Sequence, residues 1–192
     1  PDPTPPVTPD PEPPVIPTPV PPTTPPGSGS GSGYHYDLNL IHTNDTHAHI
    51  DNVARKATVV ETLRKENPSS LLVDAGDVFS GTLYFNEFQG QADLEFMNLL
   101  GYDAMTFGNH EFDLGTKPLA DFIKKAQFPF VSANINAEAD ENLSSLMNEN
   151  VTDKPMDGKV YNGIIKQVDG EKIGIFGLTT AETKTISSPG DH

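Results

Sequence analysis

The sequence predicts an α/β layered domain on a mixed sheet, for three reasons. Short apolar runs alternate with segments whose apolar residues recur at helical spacing. Successive runs give way to polar loops, and the last two runs are joined by a tight turn. The domain is expected over residues 34–192. The segment before it differs in kind: 14 of the chain's 19 prolines lie between Pro1 and Pro26, and Gly27 to Gly33 alternates Gly with Ser. Such a composition cannot bury a core, so residues 1–33 are expected to be a disordered linker or stalk. Its first part should be extended polyproline II, at about 3.1 Å per residue, and its second a flexible joint.

The first strand begins with Leu38, Leu40 and Ile41 and reads as a buried strand ending at Asn44. Asn52 is placed to cap a helix in which Val53, Ala57, Val60 and Leu63 share one face, stopped by Asn67-Pro68. Leu71 to Val73 forms the second strand, which ends at Asp74-Ala75-Gly76-Asp77. A helix through Leu94, Met97 and Leu100 closes at Gly101, and Ala104 to Phe107 supplies the third strand. Thr116 is expected to cap a helix carrying Leu119, Phe122, Ile123 and Ala126, before a fourth strand from Phe128 to Ile135. Val160 to Val168 and Lys172 to Leu178 then form a hairpin about Asp169-Gly170, a pair suited to positive φ.

Composition removes several classes of function. With no Cys, the chain is neither a disulfide scaffold nor a Cys-ligated metal domain. The net charge is −15, and residues 34–192 keep all 12 basic but only 24 of the 27 acidic side chains, a balance of −12. That surface repels polyanions, so a nucleic acid polymer and an anionic membrane are poor partners. A small phosphorylated substrate remains compatible if bound cations supply local positive charge. No segment approaches the roughly 18 apolar residues of a transmembrane segment.

Three polar loops carry chemistry, each directly after a predicted strand. In Asn44-Asp45-Thr46-His47-Ala48-His49, Asp45 and His47 stand two apart and in extended backbone face the same side, a carboxylate and an imidazole suited to a divalent metal. In Gly76-Asp77, a residue without a side chain allows close approach to a ligand beside a carboxylate able to bridge two cations. Gly108-Asn109-His110-Glu111-Phe112-Asp113 offers an amide oxygen, an imidazole, and at Asp113 a carboxylate to orient that imidazole. Each loop alone is ordinary. In open α/β sheets ligands bind at the carboxyl ends of strands, so three such loops can converge on one site.

In this order the loops resemble the calcineurin-like metallophosphoesterase superfamily, whose pattern is Asp-x-His, Gly-Asp and Gly-Asn-His-Glu. The runs His42 to His47 and Gly108 to Asp113, with flanks Ala104 to Phe107, Val131 to Ile135 and Gly174 to Thr180, look like its 5′-nucleotidase family. The resemblance implies an αββα sandwich with mixed sheets and two divalent ions, zinc or manganese, as cofactors. Asp45 and His47 match ligands of one ion, Asn109 matches a ligand of the other, and Asp77 matches the bridge. His110 matches the catalytic histidine that contacts the phosphoryl group, Asp113 matches its partner, and Asn109 is also placed to touch a phosphate oxygen. The implied reaction is hydrolysis of a nucleotide phosphate monoester by a metal-activated hydroxide.

Other residues are given plainer roles. His49 reads as a loop or core histidine, Asp74 as a turn cap and Glu111 as a structural hydrogen bond. His35 and His192 stand near the edges of the match, and Phe79, Tyr84, Phe85 and Phe88 read as packing before a base-stacking platform. The family takes further histidine ligands from later in its catalytic domain and holds the nucleoside on a separate C-terminal domain. Neither follows Gly190-Asp191-His192. Residues 34–192 are therefore expected to be the front part of a larger enzyme, with the rest of the catalytic domain and the substrate domain as partners, and to be poorly active alone. Cleavage of 2′,3′-cyclic nucleotides or nucleotide sugars on the same centre is the alternative chemistry, and a non-catalytic cell-surface module the alternative class. The Pro-rich stalk points to an extracellular or wall-attached bacterial protein.

Overall fold

Strands β1 (Asn39–Thr43), β2 (Ser70–Asp74), β3 (Ala104–Met105), β4 (Phe130–Val131), β5 (Met147–Thr152), β6 (Val160–Val168) and β7 (Glu171–Phe176) form one mixed sheet in the computed structural model, which describes residues 35–190. The expected linker and His192 lie outside the described residues. The spatial order is β1-β2-β3-β4-β6-β5, all parallel, with β7 antiparallel on β6. Helices α1 (Val53–Glu66), α2 (Leu83–Phe88), α3 (Gln91–Leu100), α4 (Thr116–Lys125) and α5 (Thr183–Ile186) occupy the connections and the segment after β7.

Because β1 to β4 are laid down side by side in chain order, right-handed crossovers carry α1, α3 and α4 to the same face. Val60, Leu94, Met97, Leu119, Phe122 and Ile123 of those helices pack with Leu72, Met105, Phe130 and Val160 of the strands in the main core. The residues alternating with them, Val73, Ala104, Val131 and Tyr161, join Ile164 and Ile175 in a second cluster. A sheet apolar on both faces is the middle of a layered fold, which agrees with the expected α/β architecture. Among the described residues, no helix is long and apolar enough to cross a membrane.

Several expectations need correction. β1 is not buried: it is the sheet's edge, and Leu40 is 55% exposed. Asn52 ends a short 3₁₀ turn, Ile50–Asn52, without a side-chain capping bond, and Gly115 occupies the cap position expected of Thr116. The fourth strand is only Phe130–Val131. β5 was not legible because Asn148, Glu149 and Asn150 interrupt any apolar alternation, as befits a solvent-facing edge strand. The hairpin about Asp169-Gly170 forms as expected, with Asp169 at φ +48.

The parallel neighbours β1, β2 and β3 end together, with Thr43 opposite Asp74 and Asp74 opposite Met105. Their outgoing loops therefore lie side by side.

Candidate metal centre

The first two loops continue the sheet beyond its strands. Ala75 N donates to Thr43 O at 2.8 Å, Asp45 N to Gly76 O at 2.9 Å, His47 N to Asp77 O at 3.0 Å and Ala48 N to Val78 O at 2.9 Å. Keeping this register bends the backbone: Asp45, His47, Ala48, Asp77 and Ser80 all sit at φ between +46° and +67°. The extended backbone expected at Asp45 and His47 is thus replaced by left-handed conformations, a strain that persists only where surrounding bonds impose it.

The third loop is pressed against the second. A β-carbon at Gly76 would meet Gly108 N at 2.1 Å, and one at Gly108 would meet Asp77 Oδ1 at 2.2 Å. Gly76 is therefore required by a neighbouring loop. His110 N donates to Asp77 Oδ1 at 2.9 Å across the junction.

Glu111 locks it. The fully buried carboxylate accepts from Asp77 N at 2.9 Å and Gly108 N at 2.7 Å on Oε2, and from Val78 N at 2.7 Å and Phe79 N at 3.3 Å on Oε1. The expected structural hydrogen bond is a four-point clamp on two loops. Burial pushes this carboxyl up to about 7, against the pull of the N–H donors. Asp74 caps the turn as expected, accepting Gly76 N at 2.8 Å, and also takes the Thr43 hydroxyl, which in turn bonds Tyr102 OH at 2.7 Å. Burial raises its carboxyl to about 6.

Above this frame, His47, Asp77 and His110 each present one ligand atom, and these atoms lie within 4.8 Å of one another. The Phe79 carbonyl, 3.0 Å from His47 Nδ1, only accepts, so Nδ1 carries a proton and Nε2 is the ring atom left to meet a metal. Asp45 Oδ1 lies 3.9 Å from that Nε2, and its other oxygen takes the Asn44 amide. Asn109 heads the third loop, half-buried, its carbonyl accepting Phe112 N at 3.1 Å. Imidazole and carboxylate donors of this kind suit a divalent metal ion; the converging group is His47, Asp77 and His110, and Asp45 and Asn109 stand outside it.

His110 Nδ1 lies 2.7 Å from Asp113 Oδ2, leaving Nε2 on the far side of the ring. Its ring meets that of His47 edge-on, centroids 4.8 Å apart. The Asp113 hydrogen bond holds His110 above the ordinary imidazole range, against a smaller effect of burial. At Asp113 burial acts upward, but bonds from Ser80, His110 and Ser187 together hold it below the carboxylate range. Ser80 and Ser187 escaped the sequence reading, since nothing local marks a serine as the partner of a distant carboxylate.

His49 stands apart from the cluster, exposed, with Nδ1 3.9 Å from Asp51 Oδ2. Phe79 and Phe85 are buried against each other, as packing requires, with centroids 5.0 Å apart; Tyr84 and Phe88 are exposed.

Comparison with known proteins adds an independent line. The calcineurin-like phosphoesterase family model matches residues 38–183. The trifunctional nucleotide phosphoesterase protein YfkN of Bacillus subtilis (strain 168) is 44% identical over 173 residues, covering 81% of this chain and 12% of that protein. The snake venom 5′-nucleotidase of Gloydius brevicauda is 39% identical over 174 residues, 82% of this chain and 28% of that protein. The crystal structure of a 5′-nucleotidase precursor from Thermus thermophilus aligns with a TM-score of 0.71 at 43% identity, covering 80% of this chain and 31% of that one. The chain thus spans less than a third of the length of each of these relatives, all hydrolytic enzymes. With the layered sheet and the three converging loops, these matches establish that the chain belongs to the calcineurin-like phosphoesterase family.

Proposed function

We propose that the protein hydrolyses a nucleotide phosphate monoester, a 5′-nucleotidase reaction, at this centre. One observation carries the reading: the ligand atoms of His47, Asp77 and His110 converge within 4.8 Å, beside the His110–Asp113 pair. The kinship with 5′-nucleotidases supports the nucleotide as substrate.

Two divalent ions held by Asp45, His47, Asp77 and Asn109 would acidify a water toward a pKa of about 7 and neutralise phosphoryl oxygens. The chain's own residues do the rest. Asp113 accepts the His110 Nδ1–H and favours the doubly protonated ring, so that Nε2–H faces the phosphoryl group, where it steadies developing charge or gives its proton to the departing ester oxygen. The Asn109 amide touches a phosphoryl oxygen. Glu111 keeps the second and third loops in register, so the groups are in place before substrate arrives. The relative named a trifunctional nucleotide phosphoesterase supports other nucleotide esters, cyclic ones or nucleotide sugars, as a second reading. The Pro-rich composition of residues 1–26 supports an extracellular or wall-attached location.

The test is substitution in the full-length protein with metal content and hydrolysis of nucleoside monophosphates read together. Asp77→Ala should lose metal and activity, whereas His110→Ala should keep metal and slow kcat by about 10²–10⁴-fold. Metal loss in His110→Ala would make His110 a ligand; unchanged hydrolysis in both variants would return the protein to a non-catalytic module.

A further inference from the structure

We propose that Ser80 and Ser187 are positioning residues, acting through Asp113 to hold His110; the inference rests on the reading of His110 given above. An imidazole is only as well oriented as the carboxylate behind it. Asp113 follows a single 3₁₀ turn, His110–Phe112, and its side chain is 24% exposed, so packing alone does not fix it. Hydrogen bonds do. Oδ2 accepts both His110 Nδ1–H and the Ser80 hydroxyl, and Oδ1 accepts the Ser187 hydroxyl at 2.8 Å. With donors on both oxygens, the carboxylate cannot rotate without breaking a charge-assisted bond.

The two serines reach Asp113 from unrelated parts of the chain. Ser80 lies on the loop after β2, 33 residues before Asp113, at φ +67. A non-glycine residue in that region signals a demand from the surrounding structure, and its hydroxyl is spent on the carboxylate. Ser187 lies 74 residues after Asp113, where its backbone N–H caps Thr183 O at 3.0 Å at the end of α5. Since both hydroxyls donate, Asp113 is kept as a pure acceptor, and the His110 proton stays on Nδ1. Removing either donor frees one edge of the carboxylate to rotate or to take solvent, and the ring behind Nε2 loses its fixed aim. That loss should fall on the bond-breaking step more than on substrate capture.

The experiment uses the full-length protein with Ser80→Ala, Ser187→Ala, the double variant, Ser187→Thr and His110→Ala. Each alanine variant should lower kcat about 10-fold with little change in KM, as is usual for groups that orient a catalytic or ligating side chain. Ser187→Thr, which keeps the hydroxyl, should restore kcat. Histidine-selective ¹⁵N NMR of the metal-free protein, recorded at a pH where the His110 ring is neutral, should show the Nδ1–H tautomer in the wild type and a mixture in the double variant. Unchanged kcat and an unchanged His110 signal in the double variant, with His110→Ala still impaired, would overturn the inference and leave the function standing. A loss that follows a lowered melting temperature and is not rescued by Ser187→Thr would assign the serines to the fold and overturn it as well. Were His110→Ala silent too, the reading of His110 would fall first, and the inference with it.

Discussion

Replacing Gly76 by Ala tests whether the site depends on contact between two loops. The added β-carbon would sit 2.1 Å from Gly108 N, 2.8 Å from the Phe107 carbonyl carbon and 2.9 Å from Gly108 Cα. All three are backbone atoms, so no side chain can swing aside. Ordinary contact begins at 3.4 Å, so the loops must part by about 1.3 Å. Of the hydrogen bonds that cross this junction to carboxylate acceptors, the two beside Gly76 run from Asp77 N to Glu111 and from His110 N to Asp77. At about 1.5–3 kcal/mol each, with about 1 kcal/mol for a β-carbon at φ +98, the change should cost at least about 4 kcal/mol. For a domain of this size that is a fall in Tm of about 8–16 °C. Where the fold survives, a displacement of about 1 Å should still cost on the order of 10²-fold in kcat. Gly115→Ala is the matched control, because Gly115 has φ +75 but nothing within 4 Å of its β-carbon. Only backbone strain acts there, about 1–3 kcal/mol, since ψ −168 places Gly115 in a region open essentially to glycine alone. Denaturant melts and manganese titrations of the two variants decide the matter. If Gly76→Ala were no less stable than Gly115→Ala to within about 0.5 kcal/mol, the loop-contact reasoning would be wrong.

Glu111→Ala would leave the N–H groups of Asp77, Val78, Phe79 and Gly108 without their acceptor. Unmet donors cost about 1–3 kcal/mol each, partly offset by releasing a buried charge, so a net loss of about 3 kcal/mol or more is expected in urea melts; a loss below about 1 would mean that water replaces the clamp. Asp93 offers a pH test. It is buried with no hydrogen-bond partner for Oδ2 among the described residues, and burial lifts its carboxyl from 3.8 to about 6. The folded state binds this proton more tightly than the unfolded chain, so its contribution is fully present below 3.8 and is lost as pH rises through about 6. Asp93→Asn should therefore gain stability relative to the wild type between pH 4 and 7, by about 1–3 kcal/mol; equal pH slopes for both proteins would refute the assignment.

What the amino-acid order settles here is local. Helical spacing in Val53 to Leu63 and Leu119 to Ala126, and apolar runs such as Leu71 to Val73, need only near neighbours to be read, and they place polar loops at the ends of parallel strands. The motifs Asp45-Thr46-His47, Gly76-Asp77 and Gly108 to Asp113 are likewise contiguous. Periodicity reports which face a residue occupies and not what stands opposite it. It could not show that β1 is an exposed edge, that Asp45 and His47 adopt left-handed backbone, or that Gly76 is demanded by Gly108. It was equally silent on Glu111 gripping residues more than 30 positions away, and on Ser80 and Ser187 meeting at Asp113. Those facts arise when distant segments compete for the same small volume and the same hydrogen-bond partners, and only the folded arrangement decides which of them meet.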